Sequence, residues 1–345
     1  MGDVLITGTG FVGGNIAAKF VDEGVSVTAL DLKPKVLDFL EAAEKSRKLS
    51  FAKGDTRSFR LIEELVKAEK PRILIHTATF LNPTEAYDTF EVNVRGTANV
   101  LELARRYDLT MVYLSSGAIY GQMNGTADIC EDEKFGPAYP PREGIDNVSG
   151  APYCMSKRLG EEWVAMYRAL YGLRAVALRL AWVYGRGITD YRLNTAISLF
   201  LRKAIVKEEV HIPYGGDTFV DFVHVSDVAD IVYNAATLPV PKDFAFNVAY
   251  ERGSRFSELI DVTKSVVPGA KLSLGPGLWP SKGVPIPRGG PSFPSERHMS
   301  IERAKASLAY SPKFDLEAGV RNYLQWIEKN WDISSPEAVP FPKWG

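Results

Sequence analysis

The fold is decided by a short stretch near the N-terminus, Val4-Leu5-Ile6-Thr7-Gly8-Thr9-Gly10-Phe11-Val12-Gly13. An apolar strand pattern runs directly into a turn with the spacing G-x-G-x-x-G, and a helical pattern follows. Gly8 permits the tight turn, Gly10 lets the backbone approach a pyrophosphate, and Gly13 lets the helix pack close to the sheet. The helix N–H groups then face the anion. The stretch therefore predicts a dinucleotide-binding β-α-β unit.

Short β-branched runs alternate with helical periodicity through the first half of the chain. The predicted strands are Val4–Thr7, Val25–Leu30, Leu49–Ala52, Ile73–Thr77, Met111–Ser115 and Ala175–Leu180. The predicted helices are Gly13–Glu23, Arg60–Glu69, Thr89–Tyr107 and Tyr153–Tyr171. This alternation predicts an α/β fold with a doubly wound parallel sheet, of the Rossmann type.

The regular alternation of strands and helices ends after Tyr184. The elements predicted beyond it are a helix over Thr195–Lys207, a strand-like Phe219–Val225 and a helix over Val228–Thr237. We expect a dinucleotide-binding domain over residues 1–180, to which 218–250 returns, and a smaller C-terminal α/β substrate-binding lobe over 181–345.

Composition narrows the class of protein. The 345 residues carry 41 basic and 42 acidic side chains, which disfavours a nucleic-acid partner. Two cysteines are too few for a disulfide framework or a thiolate metal site, so we expect a cytoplasmic protein. The N-terminal stretch has no basic leader, and no apolar run is long enough to span a bilayer, so no membrane association is expected.

Two acidic residues follow predicted strands where a dinucleotide would lie. Asp31, at the end of the second strand, is placed to receive the adenosine ribose hydroxyls, which favours NAD. Lys33 or Lys35 could instead meet the 2′-phosphate of NADP, the less favoured cofactor. Asp55 could contact the adenine or cap the helix that follows it.

A tyrosine and a lysine stand four residues apart at the start of a predicted helix. Tyr153 and Lys157 therefore share a helix face, and a cation beside a phenol favours the phenolate that a general base needs. The spacing alone is weak, because such pairs occur by chance. The context is stronger, since Ser116 ends the fifth strand at the carboxyl edge where open α/β sheets bind ligands.

At this point the chain resembles the extended short-chain dehydrogenase/reductases, the NAD-dependent epimerase/dehydratase group, over nearly its whole length. The matching motifs occur in order: the glycine turn with Phe11-Val12-Gly13; His76-Thr77-Ala78; Asn93-Val94-Arg95-Gly96-Thr97; Ser115-Ser116 to Tyr120-Gly121; Pro152-Tyr153 to Ser156-Lys157; Arg179 to Tyr184-Gly185; and Asp221-Phe222-Val223-His224-Val225-Ser226-Asp227.

The resemblance implies roles for these positions. Tyr153 would exchange the substrate hydroxyl proton, Ser116 would hydrogen-bond the same oxygen, and Lys157 would hold the nicotinamide ribose and lower the pKa of the tyrosine. The residues expected to contact the cofactor are Gly8, Gly10, Phe11, Val12, Gly13, Asp31, Asp55, Thr56, Thr77, Ala78, Asn93, Ser115, Tyr153, Lys157 and Val183. Asn93 and Arg179 are assigned to structural hydrogen bonding, and His76 to the cofactor site rather than to a metal.

Several positions depart from the family pattern. The turn is one residue shorter than is usual in extended members. Gly117 and Ala118 replace the Asp-Glu pair of the sugar-nucleotide 4,6-dehydratases, which argues against dehydration. Trp182 replaces a common Asn, and Val220 replaces an Arg that meets the substrate diphosphate in many epimerases.

These departures favour a smaller sugar, sugar-acid or polyol substrate, oxidised at a secondary alcohol. The candidate substrate-contacting residues are Ser116, Gly117, Trp182, Arg186, Arg192 and Arg288, with Arg297 as a further possible cation. A nucleotide-sugar 4-epimerase with retained NAD and a non-catalytic cofactor sensor are the alternatives.

The resemblance also implies a homodimer through a four-helix bundle, built from the helices over Thr89–Tyr107 and Tyr153–Tyr171 of each subunit. Trp163, Met166 and Leu170 fit either that interface or the core.

Overall fold

A computed structural model describes residues 3–34, 37–81, 85–121, 128–136, 151–188, 196–278 and 297–330. The strands are β1 Val4–Thr7, β2 Val27–Asp31, β3 Leu49–Lys53, β4 Ile73–His76, β5 Thr110–Ser116, β6 Ala175–Leu180, β7 Trp182–Tyr184, β8 Val210–Gly215, β9 Phe219–Val220, β10 Phe222–His224, β11 Ala245–Val248, β12 Ser254–Arg255 and β13 Leu272–Gly275.

Seven of these strands form one parallel sheet in the order β11-β6-β5-β4-β1-β2-β3. Strand order reverses at β1, which has β2 on one side and β4 on the other. Ligands bind in open α/β sheets in the crevice at such a reversal, outside the carboxyl ends of the strands. The sheet thus places the glycine turn after β1 at the expected ligand-binding edge, and the predicted fold class is confirmed.

The helices are α1 Phe11–Asp22, α2 Glu41–Lys45, α3 Phe59–Glu69, α4 Ala86–Thr89, α5 Gly96–Arg106, α6 Ala151–Tyr171, α7 Ala196–Ile205, α8 Val225–Thr237, α9 Phe256–Val266, α10 Glu302–Leu308 and α11 Leu316–Asn330. Residues Asp38–Leu40 and Gly117–Tyr120 form short 3-10 turns. None of the helices that the structure describes is long and apolar enough to cross a membrane.

The sheet is covered on both faces because successive side chains of a strand point to opposite sides. Val4 and Ile6 pack into the apolar cluster that includes α1 and α8, whereas Leu5 packs into the cluster of α3, α5 and α6. Buried on both faces, the strands are therefore apolar almost throughout.

A third apolar cluster lies beyond the end of β6 and contains side chains from α7, α9, α11 and the short strands between them. Its centre is aromatic: the Trp182 ring lies 5.7 Å from that of Phe222 and 5.9 Å from that of Phe256. We call this cluster the aromatic cluster.

Two elements differ from the prediction. The single helix expected over Thr89–Tyr107 has a π-helical segment, Phe90–Arg95, between α4 and α5. The single strand expected over Phe219–Val225 is two strands that part at Asp221, because β9 pairs antiparallel with β12 whereas β10 pairs parallel with β7. Lys35, Arg192 and Arg288 lie outside the described residues.

Candidate active site

The glycine turn has little room for side chains. Gly8 has a φ of +87°, a left-handed conformation, and a Cβ there would lie 2.6 Å from the Ala78 backbone nitrogen. A Cβ on Gly13 would lie 1.9 Å from the Gly8 carbonyl oxygen. By contrast, in the part of the chain that the structure describes, no atom apart from Gly10 and its two chain neighbours lies within 4 Å of a Cβ position on Gly10. The turn is therefore packed tightly on its inner side and open at Gly10.

The first turn of α1 faces this open side. Gly10 is its N-cap and makes no side-chain capping bond, so the leading N–H groups of the helix remain available to an acceptor. Uncapped N–H groups and the positive end of the helix dipole are suited to a pyrophosphate. Phe11 and Val12, both part-buried, turn their side chains into the aromatic cluster and the α1–α8 cluster respectively. The residues present thus fit a dinucleotide.

Thr77 and Ala78 complete the turn from the neighbouring strand β4. The Thr77 hydroxyl donates to the carbonyl oxygens of Thr7 and Gly8. This contact ties the ends of β1 and β4 together where the strand order reverses.

Asp31 ends β2 beside the same turn. Its Oδ2 accepts from the Thr9 N–H at 2.7 Å, and its Oδ1 accepts from the Lys33 N–H at 3.0 Å. Both bonds orient a part-buried carboxylate, which is the group expected for ribose hydroxyls.

Asp55 follows β3 and pairs with Arg57, whose Nη2 lies 2.7 Å from Oδ2. This pairing lowers the pKa of Asp55. The alternative of a helix cap is wrong for Asp55, because Ser58 is the N-cap of α3 and accepts from the Leu61 N–H. Thr56, between them, is buried.

The three predicted catalytic residues meet at the carboxyl end of β5. Ser116 ends β5, and its side chain is near enough to the Tyr153 phenol to influence the pKa of that phenol. Ser116 Oγ also accepts from the Ala118 N–H at 3.2 Å, so it caps the following turn as well. Lys157 lies one helical turn after Tyr153, with its Nζ 5.8 Å from the centre of the tyrosine ring.

Burial governs the charges of these groups. It raises the pKa of Tyr153, an effect that the nearby Ser116 side chain opposes. It lowers the pKa of Lys157 to about 7, against the attraction of Glu161. The direction for Tyr153 is opposite to the expectation that Lys157 would lower it, because the ammonium donates to the Leu114 carbonyl at 2.7 Å and desolvation of the phenol dominates.

Asn93 holds the surroundings of this group in place. Its amide donates to Ser156 Oγ and exchanges two bonds with the Phe80 backbone. Ser156 in turn donates to the Tyr153 carbonyl. Asn93 therefore links the chain after β4 to the start of α6. These are structural hydrogen bonds of the kind expected for Asn93 from the sequence.

His76 and Ser115 lie just inside the same edge. His76 is buried between Thr7 Oγ1 and Thr97 Oγ1, at 2.7 and 3.0 Å, and burial lowers its pKa to about 3. It is a neutral ring hydrogen-bonded to hydroxyls. Ser115 is buried, and its hydroxyl has no partner among the described residues.

The position of Gly117, where 4,6-dehydratases have an acid, is filled from elsewhere in the chain. A Cβ on Gly117 would lie 2.8 Å from the sulfur of Met299. Met299 is itself buried, and its N–H donates to Asp221 Oδ2 at 2.7 Å. The backbone next to Ser116 thus meets a thioether, and an acidic side chain would not fit there without a shift.

The candidate substrate contacts beyond β6 are mostly occupied by other interactions. Trp182 and Val220 are buried in the aromatic cluster, and Val183 is part-buried beside the α1–α8 cluster. Arg186 donates to Asn15 Oδ1 at 2.9 Å, and its guanidinium lies 4.4 Å from the centre of the Phe39 ring.

Two further polar side chains near the candidate site, those of Arg297 and Asp221, are buried. Arg297 is buried and paired with Glu133 at 2.5 Å. Asp221 lies between β9 and β10; its Oδ1 is buried with no partner among the described residues, and burial raises its pKa to about 7.

Arg179, at the end of β6, is the centre of a buried polar network. Its guanidinium pairs with Glu161 of α6 at 2.8 Å and donates to the Tyr120 hydroxyl at 2.8 Å and to the Glu131 carbonyl at 2.9 Å. Both ion-pair partners are almost fully buried. This network fixes α6, which carries Tyr153 and Lys157, against the sheet.

The model of the NAD dependent epimerase/dehydratase family matches residues 4–249. The chain belongs to this family. The match confirms the predicted resemblance, the prediction of an NAD-dependent enzyme of the oxidoreductase/epimerase type, and NAD as the cofactor.

Relatives within the family differ in their reactions. The chain is 30% identical over 238 residues to a UDP-glucose 4-epimerase of Mycolicibacterium smegmatis, covering 67% of this chain and 72% of that protein. It is 26% identical over 356 residues to the decarboxylating sterol-4-alpha-carboxylate 3-dehydrogenase of Schizosaccharomyces pombe, covering 95% and 98%. The structure of UDP-glucose 4-epimerase from Thermotoga maritima with UDP-glucose superposes with a TM-score of 0.78, at 23% identity over 94% of this chain and 98% of that one.

Some residues of the site in this family member were not predicted from sequence. Met299 and Asn15 reach their places through contacts across 182 and 171 residues, with Gly117 and Arg186 respectively. A pattern of nearby residues carries no signal for such pairs. Tyr113, whose ring lies 5.1 Å from Lys157 Nζ, could be recognised in the sequence only as one apolar position of a predicted strand.

Proposed function

We propose that this protein is a dehydrogenase that oxidises a secondary alcohol of a sugar, sugar acid or polyol, with Tyr153 as the general base. The observation that carries the proposal is the meeting of Ser116, Tyr153 and Lys157 at the end of β5, on the sheet edge that also holds the glycine turn. A phenol, a hydroxyl and an ammonium in one group are suited to removing the proton of an alcohol.

Bound NAD would supply the hydride acceptor for the alcohol carbon. Gly8, Gly10, Gly13 and the start of α1 would hold its pyrophosphate, and Asp31 its adenosine ribose. Ser116 orients the substrate oxygen by hydrogen bonding, while Tyr153 takes its proton. The Lys157 ammonium, 5.8 Å from the centre of the Tyr153 ring, would offer donors to the nicotinamide ribose. This division of roles is supported by the position of Ser116, whose side chain is near enough to the Tyr153 phenol to influence its pKa.

Two features support a substrate without a nucleotide diphosphate. Trp182 and Val220, at the positions of an Asn and an Arg that many epimerases use, are buried apolar side chains that cannot meet a phosphate. Gly117, packed against Met299, supports the absence of a dehydration step.

A nucleotide-sugar 4-epimerase is the second candidate. The observation in its favour is the similarity to relatives that include the mycobacterial UDP-glucose 4-epimerase. Both reactions begin with the same removal of proton and hydride, so the group around Tyr153 serves either one.

Purified protein should be incubated with NAD and, separately, free sugars, sugar acids, polyols and UDP-sugars, while NADH absorbance and the epimer composition are followed. Net NADH from a substrate without a nucleotide supports the dehydrogenase. Epimerisation of UDP-sugars with no net NADH contradicts it and supports the second candidate. Specific NAD binding without turnover of any substrate would instead indicate a cofactor sensor.

Native mass spectrometry of the protein as purified gives an independent readout. A dehydrogenase exchanges its cofactor each turnover, so largely empty sites are expected. A mass increase corresponding to one retained NAD in each subunit would favour the epimerase.

We further propose a homodimer formed through α6. Leu159, Trp163, Met166 and Leu170 recur every three or four residues, and their exposed fractions are 39%, 36%, 36% and 65%. They therefore form an apolar stripe on the surface, so placement in the core is excluded for the last three. Light scattering should show a dimer that Trp163→Glu converts to a monomer, whereas the control Leu238→Glu, at the exposed end of α8, should not. A monomeric parent protein would refute the dimer.

A cytoplasmic location is proposed from the cysteine content. Cys130 and Cys154 are both free thiols, which suits a reducing compartment. Cell fractionation with an antibody to the protein would test it, and recovery from an oxidising compartment would contradict it.

A further inference from the structure

The Lys157 ammonium lies in unusual surroundings for a charged group. The side chain is 4% exposed, and among the described residues the hydrogen-bond acceptor of Nζ is the Leu114 carbonyl alone, at 2.7 Å. An ammonium has three N–H groups. Within the described protein, one hydrogen bond is the whole of its hydrogen bonding, so the other neighbours of the nitrogen bear on how its charge is held.

Two aromatic rings flank the same nitrogen. Lys157 Nζ lies 5.1 Å from the ring centre of Tyr113 and 5.8 Å from that of Tyr153. A cation within about 6 Å of an aromatic ring face is attracted by the ring, most strongly where water is excluded. Tyr113 is fully buried on β5, so its attraction is not screened by solvent.

The Tyr113 ring is fixed by its neighbours. A Cβ on Gly160 would lie 2.1 Å from the Tyr113 hydroxyl oxygen, so the hydroxyl occupies the notch that the glycine leaves. Gly160 is three residues beyond Lys157 on α6, which means that one helix face positions both the ammonium and the ring. On its other side, Tyr113 stacks with His76 at 6.1 Å between ring centres.

The other titratable groups around Lys157 are engaged or neutral. Glu161 attracts the ammonium but is itself paired with Arg179 at 2.8 Å. His76 is neutral, since burial lowers its pKa to about 3. Tyr153 is the second ring and is neutral until it gives up its proton.

We propose that Tyr113 is a positioning residue that holds the Lys157 ammonium below Tyr153 through the face of its ring. Only the expected effect on turnover rests on the proposed function. The contact between Tyr113 and Lys157 does not depend on which reaction the protein catalyses. Burial lowers the pKa of Lys157 to about 7, so a small further fall would leave the lysine mostly uncharged at neutral pH. The attraction of the Tyr113 ring for the ammonium opposes that fall.

The test is an NMR titration of protein labelled with ¹³C at the lysine Cε, in which the Lys157 signal is assigned by its loss in Lys157→Met. In Tyr113→Phe, which keeps the ring, the Lys157 pKa should stay within about 0.3 units of the parent value. In Tyr113→Leu, which keeps an apolar side chain but has no ring, it should fall by about one unit, a tenfold change in the protonation equilibrium. An unchanged or higher pKa in Tyr113→Leu would overturn the proposal.

Fluorinated phenylalanine at position 113 provides a second variant if Tyr113→Leu does not fold. Fluorine withdraws charge from the ring face while almost preserving its shape, so the Lys157 pKa should fall stepwise as fluorine atoms are added. A constant pKa across the fluorinated series would refute an electrostatic role of the ring.

The titration also separates this proposal from the proposed function. If Lys157 must be charged for turnover, the loss of kcat at high pH should begin at a lower pH in Tyr113→Leu than in Tyr113→Phe. If the parent protein oxidises no alcohol but the titration behaves as expected, the proposed function fails and the role of Tyr113 stands. If turnover is found but the titration is flat, the reverse holds.

Discussion

The glycine turn and the aromatic cluster lie at opposite ends of the candidate site and are specified in different ways. At the turn, single backbone contacts decide the residue: Gly13 must be glycine because the Gly8 carbonyl lies where its Cβ would be. In the aromatic cluster, Trp182 contacts Phe222 and Phe256, 40 and 74 residues away. The turn is therefore readable as a short motif, whereas the cluster depends on the whole second region.

The same contrast bears on function. On the proposed function, the turn and Asp31 offer polar groups to a dinucleotide. The cluster end has the buried apolar side chains of Trp182 and Val220 at the two positions where the family resemblance implies polar residues in many epimerases. We therefore expect the cluster end, rather than the cofactor end, to determine the substrate.

The largest expected effect comes from breaking the buried network around Arg179, which fixes α6 against the sheet. In Arg179→Met, the buried Glu161 carboxylate loses its partner, which should lower the free energy of unfolding by about 3–5 kcal/mol. Urea unfolding measures this. The exposed pair of Arg60 and Glu64 is the control, and Arg60→Ala should leave the urea midpoint unchanged. Equal midpoints for Arg179→Met and the parent would show that the network does not stabilise the packing of α6 on the sheet.

The next test separates packing from cofactor binding within the glycine turn. Gly13→Ala places a methyl group against backbone and should cost about 1–3 kcal/mol of stability as well as at least about 100-fold in NAD affinity. In Gly10→Ala the methyl group meets no protein atom, so thermal stability should stay the same while NAD affinity falls. NAD affinity equal to the parent's in Gly10→Ala would mean that the pyrophosphate does not approach this residue.

At the end of the site formed by the aromatic cluster, Asp221 should make the free energy of unfolding depend on pH. Burial raises its pKa in the folded protein to about 7, from 3.8 when exposed, so the folded state binds the proton more tightly. Its contribution to stability is therefore full below about pH 4 and is lost as the pH rises to about 7. Asp221→Asn should remove at least about 1 kcal/mol of that decline. Parallel curves of unfolding free energy against pH for both proteins would contradict a buried, titrating Asp221.

The smallest expected effect is on cofactor choice. Asp31→Asn removes the charge that repels a 2′-phosphate while keeping the side-chain shape, so the preference for NAD over NADP should fall about tenfold. Asp55→Asn is the matched control, because the Asp55 carboxylate is occupied by Arg57, and the preference should not change. Fluorescence titration with each cofactor measures both, and a parent protein that prefers NADP would refute the role of Asp31.

Much of the cofactor end could be predicted from the sequence. The glycine turn and the strand-helix order follow from local patterns, because parallel strands bring their carboxyl ends to one edge. The grouping of Ser116 with Tyr153 was implied by the resemblance to the family. The separate pairing of β9 and β10, the packing of Met299 on Gly117 and the contact of Arg186 with Asn15 could not, because each depends on partners far along the chain. The direction of the Tyr153 pKa was also missed, since burial of the phenol depends on the packed fold.

The central claim is that Tyr153 is the base, and one measurement tests it directly. NADH formation should be followed in a single turnover with a substrate found active in the panel, comparing the parent protein with Tyr153→Phe. Because Tyr153→Phe removes the proposed base, we expect a rate at least about 100-fold lower, with NAD affinity within about threefold of the parent's. A Tyr153→Phe protein that forms NADH at the parent rate would contradict the account.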